Sequence, residues 1–187
     1  MTKRFFDIVL AAMAGVIFLL PLLLAALLVK LTSRGPVLYW SERVGRRNRI
    51  FKMPKFRSMR VGTPALATHL LNNPEAWLTP VGNFLRKSSL DELPQLWSIL
   101  CGDMSFVGPR PALFNQHDLI ALRTQYGVDK LVPGLTGWAQ VNGRDELPIP
   151  QKVALDVEYL RCRSFRFDLK IIFLTAIKVA RRESVTH

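Results

Sequence analysis

At 187 residues and 21.2 kDa the chain has room for one compact domain and an appendage, which argues against a catalytic unit joined to a separate cofactor module within it. An apolar share of 49% excludes a disordered chain, and 26 Lys and Arg against 14 Asp and Glu give a formal charge of +12. Cys101 and Cys162 belong to no CxxC or Cys/His cluster, so they read as free thiols of a reducing compartment.

Residues 8–29 run 22 positions without a polar side chain. At about 1.5 Å per residue that crosses a hydrocarbon core about 30 Å thick. A cleaved signal peptide does not fit, because the run exceeds the usual ~7 to 15 residues and no small-x-small exit precedes Lys30. Pro21 has no N–H to give the carbonyl of residue 17, so a kink is expected there. Two forms stay open on the residues alone: a bent spanning helix, and a re-entrant helix-break-helix that returns both flanks to one face. Ten Lys or Arg against the single acid Glu42 over residues 30–60 place the downstream side in the cytoplasm. They do not fix the side of Lys3 and Arg4.

Two extended segments follow, residues 37–43 and 49–56, joined by a turn at 45–48, and they read as a hairpin. Its basic surroundings, beside an apolar anchor, suit phospholipid headgroups. No helix-turn-helix, finger or RNP-like signature points to nucleic acid. Pro64, Asn72, Asn73, Pro74 and Pro80 make residues 61–80 irregular, with one short helix. Leu90, Leu93, Leu96, Trp97 and Leu100 then recur at helical spacing. Ser88 or Ser89 reads as the cap of a helix starting near Asp91, with Pro94 in its first turn.

On residue chemistry alone, Asp91 and Glu92 either cap a helix dipole or form a site. Adjacent acids point about 100° apart on a helix, which suits one group aimed at a reaction centre and a neighbour that handles metal or proton. Arg86 and Lys87 would keep a carboxylate ionised and attract phosphate. Gly108-Pro109-Arg110-Pro111 is a stiff turn presenting one guanidinium. A glycine-containing loop from 132 to 147 carries Trp138, Gln140, Asn142 and Arg144, residue types that suit a nucleotide pocket, without the Rossmann or P-loop spacing. Residues 151–159 and 165–179 read as helices. The second has little polar face and serves either as core or as an interfacial helix, while Asp168 and Lys170 exclude a second span. His69, His117 and His187 are isolated, which argues against zinc, and no G-x-S-x-G elbow or Cys/His pair is present.

KFRSM at residues 55–59, LRKSSLDELPQLWSIL at 85–100, GDMSFVGPRPAL at 102–113 and PGLTGWAQVNGR at 133–144 occur in one order. Through them nearly the whole chain resembles the bacterial sugar transferase family, and within it the small monotopic polyprenyl-phosphate phosphoglycosyl transferases. The resemblance implies an α+β membrane-associated fold: a re-entrant membrane helix broken at Pro21, a small β-hairpin, and amphipathic interfacial helices. It divides the chain into an anchor, residues 1–34, and a catalytic domain, 35–187, on the cytoplasmic face of the bacterial inner membrane. Where relatives often carry a serine before the break proline, this chain has Leu20.

The activity implied is transfer of a sugar 1-phosphate from a UDP-sugar to polyprenyl phosphate, commonly undecaprenyl phosphate, with release of UMP. This is the first membrane step of glycoconjugate assembly, upstream of further glycosyltransferases. Carried onto this sequence, Asp91 is the nucleophile of a phosphosugar-aspartyl intermediate and Glu92 its neighbour, the two supporting Mg2+. Lys55, Arg57, Arg86, Arg110, Gln140 and Arg144 are placed around phosphate or nucleotide. The small members lean towards N-acetylated amino sugars, and a homodimer is compatible with the sequence. A hydrolase using the same dyad, and a non-catalytic anchored scaffold, are the rival readings.

Overall fold

The computed structural model describes residues 2–64, 73–143 and 147–180. Helices α1 (Thr2–Ile17) and α2 (Leu19–Thr32) open the chain and meet at an angle of 63°. Their junction is Phe18, at φ −93° and ψ 12°, rather than Pro21 itself. The shift has a local cause, since a proline withholds its bond from the carbonyl four residues earlier, here that of Ile17. Around the gap the ladder continues, with Phe18 N–H donating to Ala14 at 2.8 Å and Leu22 N–H to Phe18 at 2.9 Å. Leucine at position 20, in place of serine, does not prevent the break.

No single described helix is long and apolar enough to cross a membrane, whereas the bent pair together has the length and composition. Val16, Ile17, Leu20, Leu23 and Leu31 are at least 60% exposed on the outer side of the pair. The inner side is built from smaller residues that let the helices approach the rest of the chain: Ala11 packs with Met53, Leu96 and Ile99, and Ala25 and Val29 with Phe56 and Leu85.

The polar start of α1 is bolted down. Lys3 Nζ pairs with Asp168 at 2.6 Å and donates to the Val107 carbonyl at 3.2 Å. Arg4 donates to the carbonyls of Ile99 and Leu100, and Asp7 accepts from Phe106 N–H at 3.1 Å. Lys3 and Arg4, read from sequence only as flanking positive charges, are therefore structural partners of residues 95 to 165 positions away.

The hairpin forms as expected, β1 (Leu38–Val44) antiparallel to β2 (Ile50–Phe56), in register from Leu38 opposite Phe56 to Val44 opposite Ile50. After β2 the chain returns through Thr79, whose N–H donates to Ser58 at 3.0 Å. Helix α3 (Gly82–Lys87) then starts hard against the strand exit, where a Cβ on Gly82 would lie 2.0 Å from the Ser58 carbonyl.

The helix expected to begin near Asp91 is not continuous. Residues Leu90–Gln95 form 3-10 turns, and α4 (Leu96–Cys101) begins after them. Pro94 withdraws a donor in mid-segment and Ser89 sits at φ 56°, so the chain tightens instead of propagating an α-helix. Ser88 does not cap forwards either, because its hydroxyl donates back to Phe84 at 2.8 Å and closes α3.

Beyond α4 lie β3 (Ser105–Val107), α5 (His117–Gln125), β4 (Gly134–Thr136), α6 (Trp138–Val141), α7 (Ile149–Cys162) and α8 (Phe165–Ala180). Strands β3 and β4 pair in parallel, Ser105 with Gly134 and Val107 with Thr136. The backbones come so close there that a Cβ on Gly134 would lie 2.1 Å from Gly108 N. Helix α8 contributes one face to the core and leaves apolar side chains exposed on the other. Ile171 and Asp168 are buried, Ile171 in a core with Val107, Val128, Leu131, Val141 and Tyr159, while Phe165 and Phe173 stay exposed. Full burial of a side chain such as Ile171 contributes about 1.5 to 3 kcal/mol. The fold is α+β, as expected.

Candidate active site

Four elements converge on one carboxylate pair. The 3-10 segment carrying Asp91 and Glu92 packs on β2, which supplies Lys55 from its penultimate position. The last turn of α3 brings Arg86, and the turn after β3 brings Arg110. A 3-10 turn separates neighbouring side chains by about 120°, so the two acids part ways.

Glu92 is the paired one. Lys55 Nζ and Arg110 Nη2 both donate to its Oε1, at 2.8 and 3.0 Å. Burial alone would raise its pKa, but the two cations hold it well below the usual carboxylate range. Burial also lowers the Lys55 ammonium from its ordinary value, against the pull of Glu92.

Asp91 is the unpaired one. It is 6% exposed, and its Oδ1 is buried with no hydrogen-bond partner. Burial pushes its pKa up to about 6; Glu92 adds to the rise, and Lys55, Arg86 and Arg110 oppose it. A bare acceptor costs about 1 to 3 kcal/mol when buried, so the site is incomplete without something to donate to it or coordinate it.

Of the residues predicted from sequence, Lys55, Arg86, Asp91, Glu92 and Arg110 thus form one cluster. Arg57 does not join it. Its guanidinium, 4% exposed, donates to the carbonyls of Ser33 and Arg34 and to the Ser33 hydroxyl at 2.7 to 2.9 Å. It closes the C-terminal end of α2 and ties the hairpin to the N-terminal pair. Gln140 is buried near Gly137, with both amide atoms unpartnered. Trp138 is half-buried, its ring 5.0 Å from that of Phe167 and its centroid 5.4 Å from the Lys170 ammonium. Arg144, like His69 and His187, lies outside the described residues.

Sequence reasoning missed Arg43 and Arg123. Arg43 donates to Ser41 and to the Pro111 carbonyl, and Arg123 to Asp156 and the Arg110 carbonyl. One signal was available: Arg123 falls four residues after buried Leu119, where a helix calls for an apolar residue.

Among the described residues no group of three or more His, Cys, Asp or Glu could hold a metal ion by itself. Magnesium asks for less, one or two carboxylates with substrate phosphates and water completing the shell. The orphaned Oδ1 of Asp91, next to Glu92, fits that requirement.

The family model for bacterial sugar transferases matches residues 1–182. A UDP-glucose:undecaprenyl-phosphate glucose-1-phosphate transferase of Escherichia coli is 44% identical over 94% of this chain and 39% of its own length. An undecaprenyl-phosphate galactose phosphotransferase of Salmonella typhimurium is 38% identical over 97% of this chain and 41% of its own. The chain therefore spans about two-fifths of the length of these relatives. The exopolysaccharide production protein ExoY of Rhizobium meliloti is 37% identical, and the match covers 94% of this chain and 84% of that one. The chain belongs to the bacterial sugar transferase family.

Proposed function

We propose that the protein transfers a sugar 1-phosphate from a UDP-sugar to polyprenyl phosphate and releases UMP, by way of a phosphosugar-aspartyl intermediate on Asp91. The observation that carries this reading is the contrast within the dyad: a desolvated carboxylate with one oxygen unpartnered, in the field of Lys55, Arg86 and Arg110, beside one that two of those cations neutralise. The names of the relatives supply the substrate class, undecaprenyl phosphate with glucose or galactose.

In the first half-reaction an Asp91 oxygen forms a bond to the sugar-linked phosphorus, and the bond from that phosphorus to the bridging oxygen breaks, so UMP leaves with the electron pair. In the second, a polyprenyl phosphate oxygen attacks the same phosphorus and the Asp91 carboxylate is regenerated. A carboxylate that is poorly solvated before attack loses little hydration on reaching the transition state. Lys55, Arg86 and Arg110 offset charge on the equatorial oxygens. Asp91 and Glu92 would hold Mg2+, which when bound would supply charge neutralisation for the donor's phosphates.

The exposed apolar surface of α1 and α2, together with their 63° bend, supports a re-entrant anchor in the bacterial inner membrane with the site facing the cytoplasm, the acceptor arriving through the lipid. Tags before Lys3 and after Lys30 are then both cytoplasmic. Labelling of the N-terminal tag from outside the cell contradicts that topology. The product would feed further glycosyltransferases.

Donor and magnesium without lipid should release about one equivalent of UMP per enzyme and stall, and polyprenyl phosphate should restart turnover. Sustained UMP release without acceptor points to a hydrolase instead. A donor panel beginning with UDP-glucose and UDP-galactose and including UDP-N-acetylamino sugars identifies the sugar.

A further inference from the structure

Residues 108–112 run past the dyad as a strap, and four successive carbonyls in it are held by donors from different places. Pro109 accepts from Gly134 N–H at 2.9 Å, Arg110 from Arg123 Nη1 at 2.8 Å, Pro111 from Arg43 Nη1 at 3.2 Å and Ala112 from Val44 N–H at 2.9 Å. Two of the four donors are guanidinium groups: Arg43 is tied through Nε to the Ser41 hydroxyl at 2.9 Å, whereas Arg123 is aimed by a carboxylate. Its Nε and Nη2 both donate to Asp156 Oδ2, at 2.9 and 2.7 Å, from α5 to α7.

Asp156 is 2% exposed and Arg123 8%. Buried ion pairs are poor sources of stability, since apolar residues of the same volume often serve as well. What an apolar pair could not do is place a third donor, Nη1, on the carbonyl of the one strap residue whose own guanidinium reaches Glu92, at 3.0 Å. A small, partly open pocket of about 30 Å³ is lined by Arg110, Pro111 and Arg123 beside the strap. Errors of about 1 Å in a group that meets the transition state cost up to about a hundredfold in rate.

We infer that Arg123, aimed by Asp156, is a positioning residue that sets where the Arg110 guanidinium stands during phosphoryl transfer; this rests on the reading of the site given above. The chain of contacts runs from Asp156 through the Arg123 fork to the Arg110 backbone, and from the Arg110 side chain to Glu92. Lysine at position 123 keeps the charge beside Asp156 but lacks the planar fork that serves a carboxylate and a carbonyl together.

A double-variant cycle on the full chain tests it. With polyprenyl phosphate and a UDP-sugar the wild type accepts, Arg123→Lys should lower kcat/KM for UMP release about tenfold. In an Arg110→Lys background the same change should cost less than about twofold, because the group it positions is already altered. Should Arg110→Lys release no UMP, the cycle is read in the Kd for UMP, with the same loss of additivity. Asp156→Asn is the second arm and should reproduce the pattern. Equal losses in both backgrounds, wild-type kinetics in Arg123→Lys, or failure of both single variants to fold would each overturn the inference and leave the pair purely structural. A wild type that releases no UMP from any donor would overturn the transferase reading first, and this one with it.

Discussion

Two buried charge clusters lie within a few residues of each other in the fold, and they are built on opposite plans. At Asp156 one anion meets one cation, two donors of Arg123 fall on one oxygen, and the charges cancel. At the dyad, Asp91 and Glu92 share their surroundings with Lys55, Arg86 and Arg110, three cations for two anions, yet one carboxylate oxygen has no partner at all. The first cluster is complete as it stands. The second has surplus positive charge and an unmet acceptor, which is what a site awaiting phosphate and a cation requires.

The sharpest way to break the comparison is Asp91→Asn. Loss of the nucleophile should lower UMP release by about four orders of magnitude or more. The same change should stabilise the protein. Because burial raises the carboxyl from 3.8 to about 6, the native state holds its proton more tightly than the unfolded chain does. Stability therefore falls as pH rises between those values, and the penalty is complete above them, at up to about 3 kcal/mol. In EDTA at pH 7.5, urea melts should favour Asp91→Asn over wild type, and the advantage should vanish near pH 4. A destabilised Asp91→Asn contradicts the unpaired reading of Asp91.

Glu92→Gln should do the reverse to stability. It removes the shared anion between Lys55 and Arg110 and leaves two partly buried cations facing each other. A loss of about 3 kcal/mol in the same melts is expected, together with severe impairment of UMP release. Equal stability of wild type and Glu92→Gln contradicts the pairing.

Arg57 sharpens the contrast from a third side, as a buried cation whose guanidinium donates to residues 33 and 34. Arg57→Lys should cost about 1 to 2 kcal/mol in stability, with KM for the donor within about twofold of wild type. A large rise in KM with unchanged stability returns Arg57 to the phosphate site.

The placement of Arg57 marks a limit of sequence reading. Lys55 and Arg57 are two apart, which on a continued strand puts both on one face. β2 ends at Phe56, and Arg57 turns to the carbonyls that close α2. By contrast, the hairpin and the dyad were legible because their signals are local: turn residues at 45–48, two acids beside two cations. The bend was legible from Pro21, though its centre at Phe18 follows from the carbonyl that proline leaves unserved. The β3–β4 pair was not legible, since strands of three residues are too short to carry a readable alternation. Nor were Lys3 with Asp168, or Arg123 with Asp156, because pairing across 165 or 33 residues leaves no spacing in the chain.

The claim on which the rest depends is that the unpaired carboxylate forms the bond. Intact-mass measurement after quenching a donor-only reaction, under conditions that preserve acyl phosphates, tests it directly. The wild type should gain the mass of one phosphosugar, mapped to Asp91 by peptide sequencing, and Asp91→Asn should gain nothing. Single-turnover UMP release by the wild type without any adduct, or a normal adduct on Asp91→Asn, would contradict it.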